Sequence, residues 1–154
     1  MKKWILFLQN NDYIGAKQYI NDGANINAVN DTQETVLACA LRYRCDDDIV
    51  ELLLQKGANL FACNEDGVSI LDYAIMYNRI KLVEKILKTD IDINKTKRPS
   101  QFTPLMGAVC YGRKEIAVML LKKGADVTLR DIKGLSALDF AKKTRKVKMI
   151  ELLI

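Results

Sequence analysis

The side chains best able to do chemistry are few in this chain and are not arranged for catalysis. Cysteines stand at Cys39, Cys45, Cys63 and Cys110, none in a CxxC pair, and histidine is absent. Structural zinc takes four thiolate or imidazole ligands at short paired spacings, so no metal site is expected. Acid–base catalysis loses its commonest agent without histidine. Gly-rich phosphate loops and the GxSxG, Walker and metalloprotease spacings are missing as well. Cys39 and Cys110 lie in apolar helical patterns, where a small buried thiol is the plain expectation, and such cysteines suit a reducing compartment. What remains is the chemistry of contact, made by charge and aromatic surface.

The charge is unevenly spread. Residues 1–77 carry 11 acids and 6 bases, residues 78–154 carry 8 acids and 18 bases, and the net charge is +5. Such a dipole can orient a charged partner during encounter. The densest basic cluster is Lys142, Lys143, Arg145, Lys146 and Lys148; a second, Lys95, Lys97 and Arg98, falls in a loop. Lysine outnumbers arginine 17 to 7, and no nucleic-acid-reading pattern accompanies the bases, so nucleic acid is not expected as a partner. No stretch approaches the roughly 20 apolar residues of a membrane-spanning helix. The opening MKKWILFLQNND resembles a secretory signal, but its apolar run covers residues 4–8 alone and no small-residue cleavage site follows. It is read as a first helix.

The elements that position these groups repeat. Hydroxyl residues suited to helix N-caps occur at Thr35, Ser69, Thr103 and Ser136, spaced 34, 34 and 33 apart. Leu37, Leu71, Leu105 and Leu138 follow two residues later, and Ala40, Ala74, Ala108 and Ala141 five later. Second apolar helices recur as IVELLL, LVEKIL, IAVMLL and MIELLI. Gly23, Gly57 and Gly124 stand where a left-handed C-cap belongs, and Asp90 takes that place in the third copy. A non-glycine residue held left-handed there should cost on the order of 1 kcal/mol. SILD and SALD read as capping boxes with Asp at N3. CDDD at 45–48 adds a residue between helices and places acids at a helix start, where the dipole favours them. The loop NKTKRPSQ adds a residue before Thr103. Helix–turn–helix–loop units of this size must stack to bury their apolar faces.

The stretch FTPLMGAVCYGRKEIAVMLLKKGADV resembles an ankyrin repeat, whose pattern opens Asp-x-x-Gly-x-Thr-Pro-Leu-His-x-Ala and closes Leu-Leu-x-x-Gly-Ala-Asp. The resemblance covers the chain as one domain, 1–154, with repeats at about 1–29, 30–63, 64–97, 98–130 and 131–154. The family's His position is Ala38, Asp72, Met106 and Asp139 here. It implies an all-α solenoid of stacked helix pairs with β-turn finger loops.

It also implies a binding face, concave and lined by finger tips and first helices. Two residues near each first-helix end would face it: Arg42 and Tyr43, Met76 and Tyr77, Cys110 and Tyr111, Lys143 and Thr144. Stacked helices lie roughly 8–10 Å apart, so Tyr43, Tyr77 and Tyr111 would form a ladder about 20 Å long. Loop positions add Glu34, Val68, Phe102 and Leu135, and the basic loop adds Lys97 and Arg98. Tyr73 and Phe140 are expected in the core.

The function implied is non-catalytic binding of another protein by a cytoplasmic monomer without cofactor: an adaptor, an inhibitor or immunity protein, an enzyme accessory, or a secreted effector acting in host cytoplasm. Stand-alone size and richness in Ile, Asn and Lys are of a bacterial or viral kind. Two other classes remain: a haem-type carrier using a groove tyrosinate, and a structural assembly unit using the repeat ends.

Overall fold

The computed structural model describes residues 1–154 as ten helices without strands. They are α1 (Lys2–Gln9), α2 (Tyr13–Asn21), α3 (Val36–Arg42), α4 (Asp47–Gln55), α5 (Ile70–Met76), α6 (Ile80–Leu87), α7 (Pro104–Cys110), α8 (Lys114–Lys122), α9 (Ala137–Lys143) and α10 (Val147–Leu153). This is the all-α repeat solenoid class. The helices fall into two compact units, Met1–Glu65 and Asp66–Ile154.

In the first unit α1 packs on α2 and α3, and α4 packs on α2 and α3. Its core holds Trp4, Leu8, Leu37, Leu41, Ile49 and Leu53. The Trp4 indole N–H donates to the Asn25 carbonyl at 3.1 Å, anchoring the opening segment as a helix of the fold. In the second unit α5, α7 and α9 form one row and α6, α8 and α10 another, and each row member also packs on its partner in sequence. Six of seven residues in each of α3, α5 and α7 are buried. In α9 only Ala137 and Ala141 are buried, and Lys142 stands where the buried Ile75 and Val109 stand in the earlier copies.

Local rules set the helix starts. Thr35, Ser69, Thr103 and Ser136 are N-caps whose hydroxyls accept the N–H of Ala38, Asp72, Met106 and Asp139. The boxes at Ser69/Asp72 and Ser136/Asp139 are closed, each carboxylate accepting the cap's own N–H at 2.9 Å. In α7 the Met106 thioether takes the carboxylate's place and accepts the Thr103 N–H at 3.4 Å. Pro104 sits at the first helical position, where its missing N–H costs nothing. Asp46 is the N-cap of α4, with Asp47 and Asp48 in the first turn, as the dipole favours.

The third copy closes differently from the sequence expectation. Gly23, Gly57 and Gly124 are left-handed, with φ of 90°, 91° and 101°, whereas Asp90 is not. Instead α6 stops at Leu87, and the Thr89 hydroxyl donates to the Ile86 carbonyl at 2.6 Å. The Lys123 ammonium from the following copy donates to the Thr89 carbonyl at 3.1 Å. Side chains satisfy the helix end, so the expected strain at Asp90 does not arise.

Finger loops are held by turns and by their neighbours. In the first unit the Glu65 N–H donates to the Thr32 carbonyl at 3.1 Å; in the second the Ile132 N–H donates to the Ser100 carbonyl at 2.8 Å. Asparagine clamps link copies in each unit. Asn27 donates to the Gly57 carbonyl and accepts the Asn59 N–H, and Asn94 does the same with Gly124 and Asp126.

Two of the finger glycines separate strain from crowding. Gly67 and Gly134 have φ of 75° and 77°, but a Cβ on Gly67 would lie 2.3 Å from the Lys97 carbonyl oxygen, while one on Gly134 meets nothing within 4 Å. Gly134→Ala should therefore cost about 1 kcal/mol from backbone strain alone. Gly67→Ala should lower the urea midpoint clearly further, and equal losses would contradict the close approach.

The two closed boxes should also respond oppositely to pH. Burial raises the Asp72 carboxyl, against the Ser69 N–H, the Ser69 hydroxyl and Arg98, which favour the anion. The half-buried Asp139 carboxyl is lowered by the Ser136 N–H and hydroxyl, with Arg130 adding to them. A lowered native pKa gives stability that is present above the unfolded pKa and lost on acidification; a raised one acts in the reverse sense. Between neutrality and about pH 3, the stability gap between wild type and Asp139→Asn should narrow. Against Asp72→Asn, the wild type should instead gain over the same range. Urea unfolding at both pH values measures this, and a shift of the same sign for both variants would contradict it.

Candidate binding surface

The first-helix ends share one local geometry. Asn10, Tyr43, Tyr77, Tyr111 and Thr144 are the C-cap residues of α1, α3, α5, α7 and α9, and each donates its N–H to a carbonyl of the preceding turn. Asn10 and Thr144 show that the cap needs no aromatic ring. Tyr43 and Tyr77 are half-buried, and Tyr111 is 45% exposed.

In the first unit the end of α3 is tied to its own finger loop. Arg42 forks onto Glu34, with Nε at 3.2 Å from Oε1 and Nη2 at 3.0 Å from Oε2. Glu34 is 8% exposed, and it also accepts from the Asn30 amide at 2.8 Å. The guanidinium lies 4.7 Å from the Tyr43 ring centre, a cation–π distance. The Gln9 amide reaches the Tyr43 hydroxyl at 3.4 Å. Partial burial disfavours the charge on Arg42, but Glu34 outweighs it and holds the guanidinium protonated well above its ordinary range. The pair organises the loop as well as the surface.

In the second unit Phe102 is central. Its ring meets Phe140 edge-on at 5.4 Å, and Arg98 stacks on it at 4.9 Å. Phe140 was expected in the core and is instead half-buried, because α9 is the last helix of its row and lacks a neighbour on its far side. Tyr73 is buried as expected. Val68, Met76 and Leu135 are half-buried. Lys97 is exposed, and its carbonyl is the group that crowds Gly67. Arg113 uses its guanidinium on the far end of α5, donating to the Ile75 carbonyl at 3.2 Å and the Met76 carbonyl at 2.6 Å.

Cys39 and Cys110 are poorly suited to act as nucleophiles. Burial pushes the Cys39 thiol up, with Glu34 adding to it, and burial likewise raises Cys110 against the pull of Lys146. Raised thiols stay protonated and inert near neutrality. All four cysteines are free. No helix is long and apolar enough to cross a membrane.

Sequence reasoning missed three features. The Glu34–Arg42 pair joins residues eight apart across a loop and a helix, a spacing that no helical or strand period marks. Phe61, 34 residues after the clamping Asn27, carries a 52%-exposed ring in place of an amide. Ile132, at the last finger tip, is exposed too. An apolar residue inside a finger loop was the available signal for the last two.

Family models for ankyrin repeats match this sequence: a three-copy model over residues 5–97 and a single-repeat model over residues 100–132. The chain is 40% identical over 76 residues to the rat ankyrin repeat and SAM domain-containing protein 6, covering 49% of this chain and 9% of that protein. It is 31% identical over 111 residues to the Drosophila melanogaster E3 ubiquitin-protein ligase Ufd4, covering 72% of this chain and 4% of the ligase. Phosphocholine transferase AnkX of Legionella pneumophila is 28% identical over 123 residues, 80% of this chain and 12% of the transferase. The chain thus spans a small part of the length of each of these relatives.

Proposed function

The chain belongs to the ankyrin repeat family, whose repeats are generally protein-interaction modules without catalytic activity, and on that premise we propose that it binds another protein through its finger loops and first-helix ends. The observation that carries this reading is Tyr111, a ring 45% exposed at a C-cap whose hydrogen bonds Asn10 and Thr144 make without one. An exposed aromatic with no structural duty is the kind of residue that dominates interface energies. The binding residues in this reading are Tyr43, Tyr77, Tyr111, Phe102, Met76, Arg42, Val68, Leu135, Lys97 and Arg98. The chain acts as a monomer in the cytoplasm, or in host cytoplasm as an effector, and serves as adaptor, inhibitor or enzyme accessory.

The activities in the relatives' names belong to proteins of which this chain covers 4–12%, and it carries no counterpart catalytic constellation in this reading.

Replacing an exposed surface residue usually changes stability by no more than about 0.5 kcal/mol. That bound covers the exposed Tyr111, while the half-buried Tyr77 should cost more. The variant Tyr77→Ala with Tyr111→Ala should melt at a lower temperature but still cooperatively and with the helical signal kept, while abolishing capture of the partner from lysate. Undiminished capture by the folded variant would place the binding surface elsewhere.

A further inference from the structure

The last two copies carry an excess of base on one layer, that of the finger loops and first-helix ends. Residues 95–113 hold four bases and no acid, and residues 130–146 hold six bases and two acids. Both acids are engaged internally. Asp131 accepts the N–H groups of Lys133 and Leu135 at 2.9 Å, and Asp139 closes its capping box and pairs with Arg130 at 3.1 Å. Lys97, Lys142, Lys143 and Arg145 are exposed and make no ion pair. Lys146 points back along this layer: a Cβ on Gly112 would lie 3.5 Å from its ammonium nitrogen, next to the exposed Tyr111.

Aromatic surface is interleaved with these cations. Tyr111 is exposed, and Phe102 and Phe140 meet edge-on in half-buried positions. We propose that this layer of the second unit is a docking surface for an acidic peptide segment bearing aromatic side chains. The proposal rests on the protein-binding reading and specifies its partner chemically. Carboxylates would meet the lysines at the rim, and an aromatic side chain would lie against Tyr111 and Phe102.

The arginines argue for carboxylates on a peptide rather than a phosphate backbone. Phosphate recognition favours open guanidinium forks. Of the four arginines in residues 95–146, Arg98 is stacked on Phe102, Arg113 donates to the Ile75 and Met76 carbonyls, and Arg130 binds Asp139 and the Gly134 carbonyl. The cations left open are lysines and Arg145.

The test uses the full chain and a fluorescein-labelled peptide of repeated Glu-Glu-Phe triplets, followed by fluorescence anisotropy at low salt. The peptide should bind, and Lys143→Glu with Lys146→Glu should weaken it about tenfold or more. Lys81→Glu with Lys122→Glu makes the same change in net charge on α6 and α8 and should change affinity less than about twofold. Replacing the peptide's Phe by Ala should weaken binding about fivefold. If the Lys143/Lys146 variant loses its cooperative melt, Lys97→Glu with Lys143→Glu, both exposed, replaces it with the same expectation. Equal losses from the two lysine pairs would show attraction to net charge alone and overturn the proposal. So would an oligonucleotide of equal charge binding as tightly as the peptide, or no peptide binding at all. Loss of partner capture in the tyrosine variant together with no peptide binding would leave the protein-binding function standing and remove this inference alone.

Discussion

The constraint on which the structure depends is that no helix pair here can bury its own apolar face. Helices of seven to nine residues lie below the length at which an isolated helix is stable in water. They persist because neighbouring copies cover them, leaving six of seven residues of α3, α5 and α7 buried. Each fully buried Leu or Ile contributes about 1.5–3 kcal/mol. Stacking therefore fixes the inward residues and the caps, and leaves the finger tips and first-helix ends free to vary. That freedom is why chemistry collects there, and why the tyrosines, Phe102 and the lysines of the last copies can differ from one copy to the next without loss of the fold.

Hydrogen bonds between copies reinforce the stacking. The asparagine clamps at Asn27 and Asn94 satisfy a helix-end carbonyl and a loop N–H in one step. Arg113 donates to two carbonyls at the end of α5, and Lys123 to the Thr89 carbonyl just beyond α6. The cations of the finger loops and helix ends thus divide into two groups. Arg113 and Lys123 are tied to carbonyls of the preceding copy and Arg42 to Glu34, while Lys97, Lys143 and Arg145 are exposed and make no ion pair.

Much of this was legible in the sequence because it is local. Caps, capping boxes, Pro104 at its N1 position and the residues inserted at 45–48 and before Thr103 follow from a handful of neighbouring side chains. What was not legible depends on another copy. Asp90 escapes the left-handed conformation because Thr89 turns onto Ile86 and Lys123 arrives from the next copy, 34 residues on from Thr89. Phe140 is half-buried where its repeat position implies core, since nothing stacks on α9 beyond α7 within its row. The Glu34–Arg42 pair is set by a loop folding back on a helix end. Periodicity locates faces, and it does not assign a surface cation to scaffold or to partner.

The central claim is that the finger loops and first-helix ends are the working surface. Hydrogen–deuterium exchange of the full chain, alone and with the protein it captures, tests this most directly. The account predicts slower exchange in segments 96–102, 110–113 and 143–147 on complex formation, with α6, α8 and α10 unchanged. Protection confined to α6, α8 and α10 would contradict it.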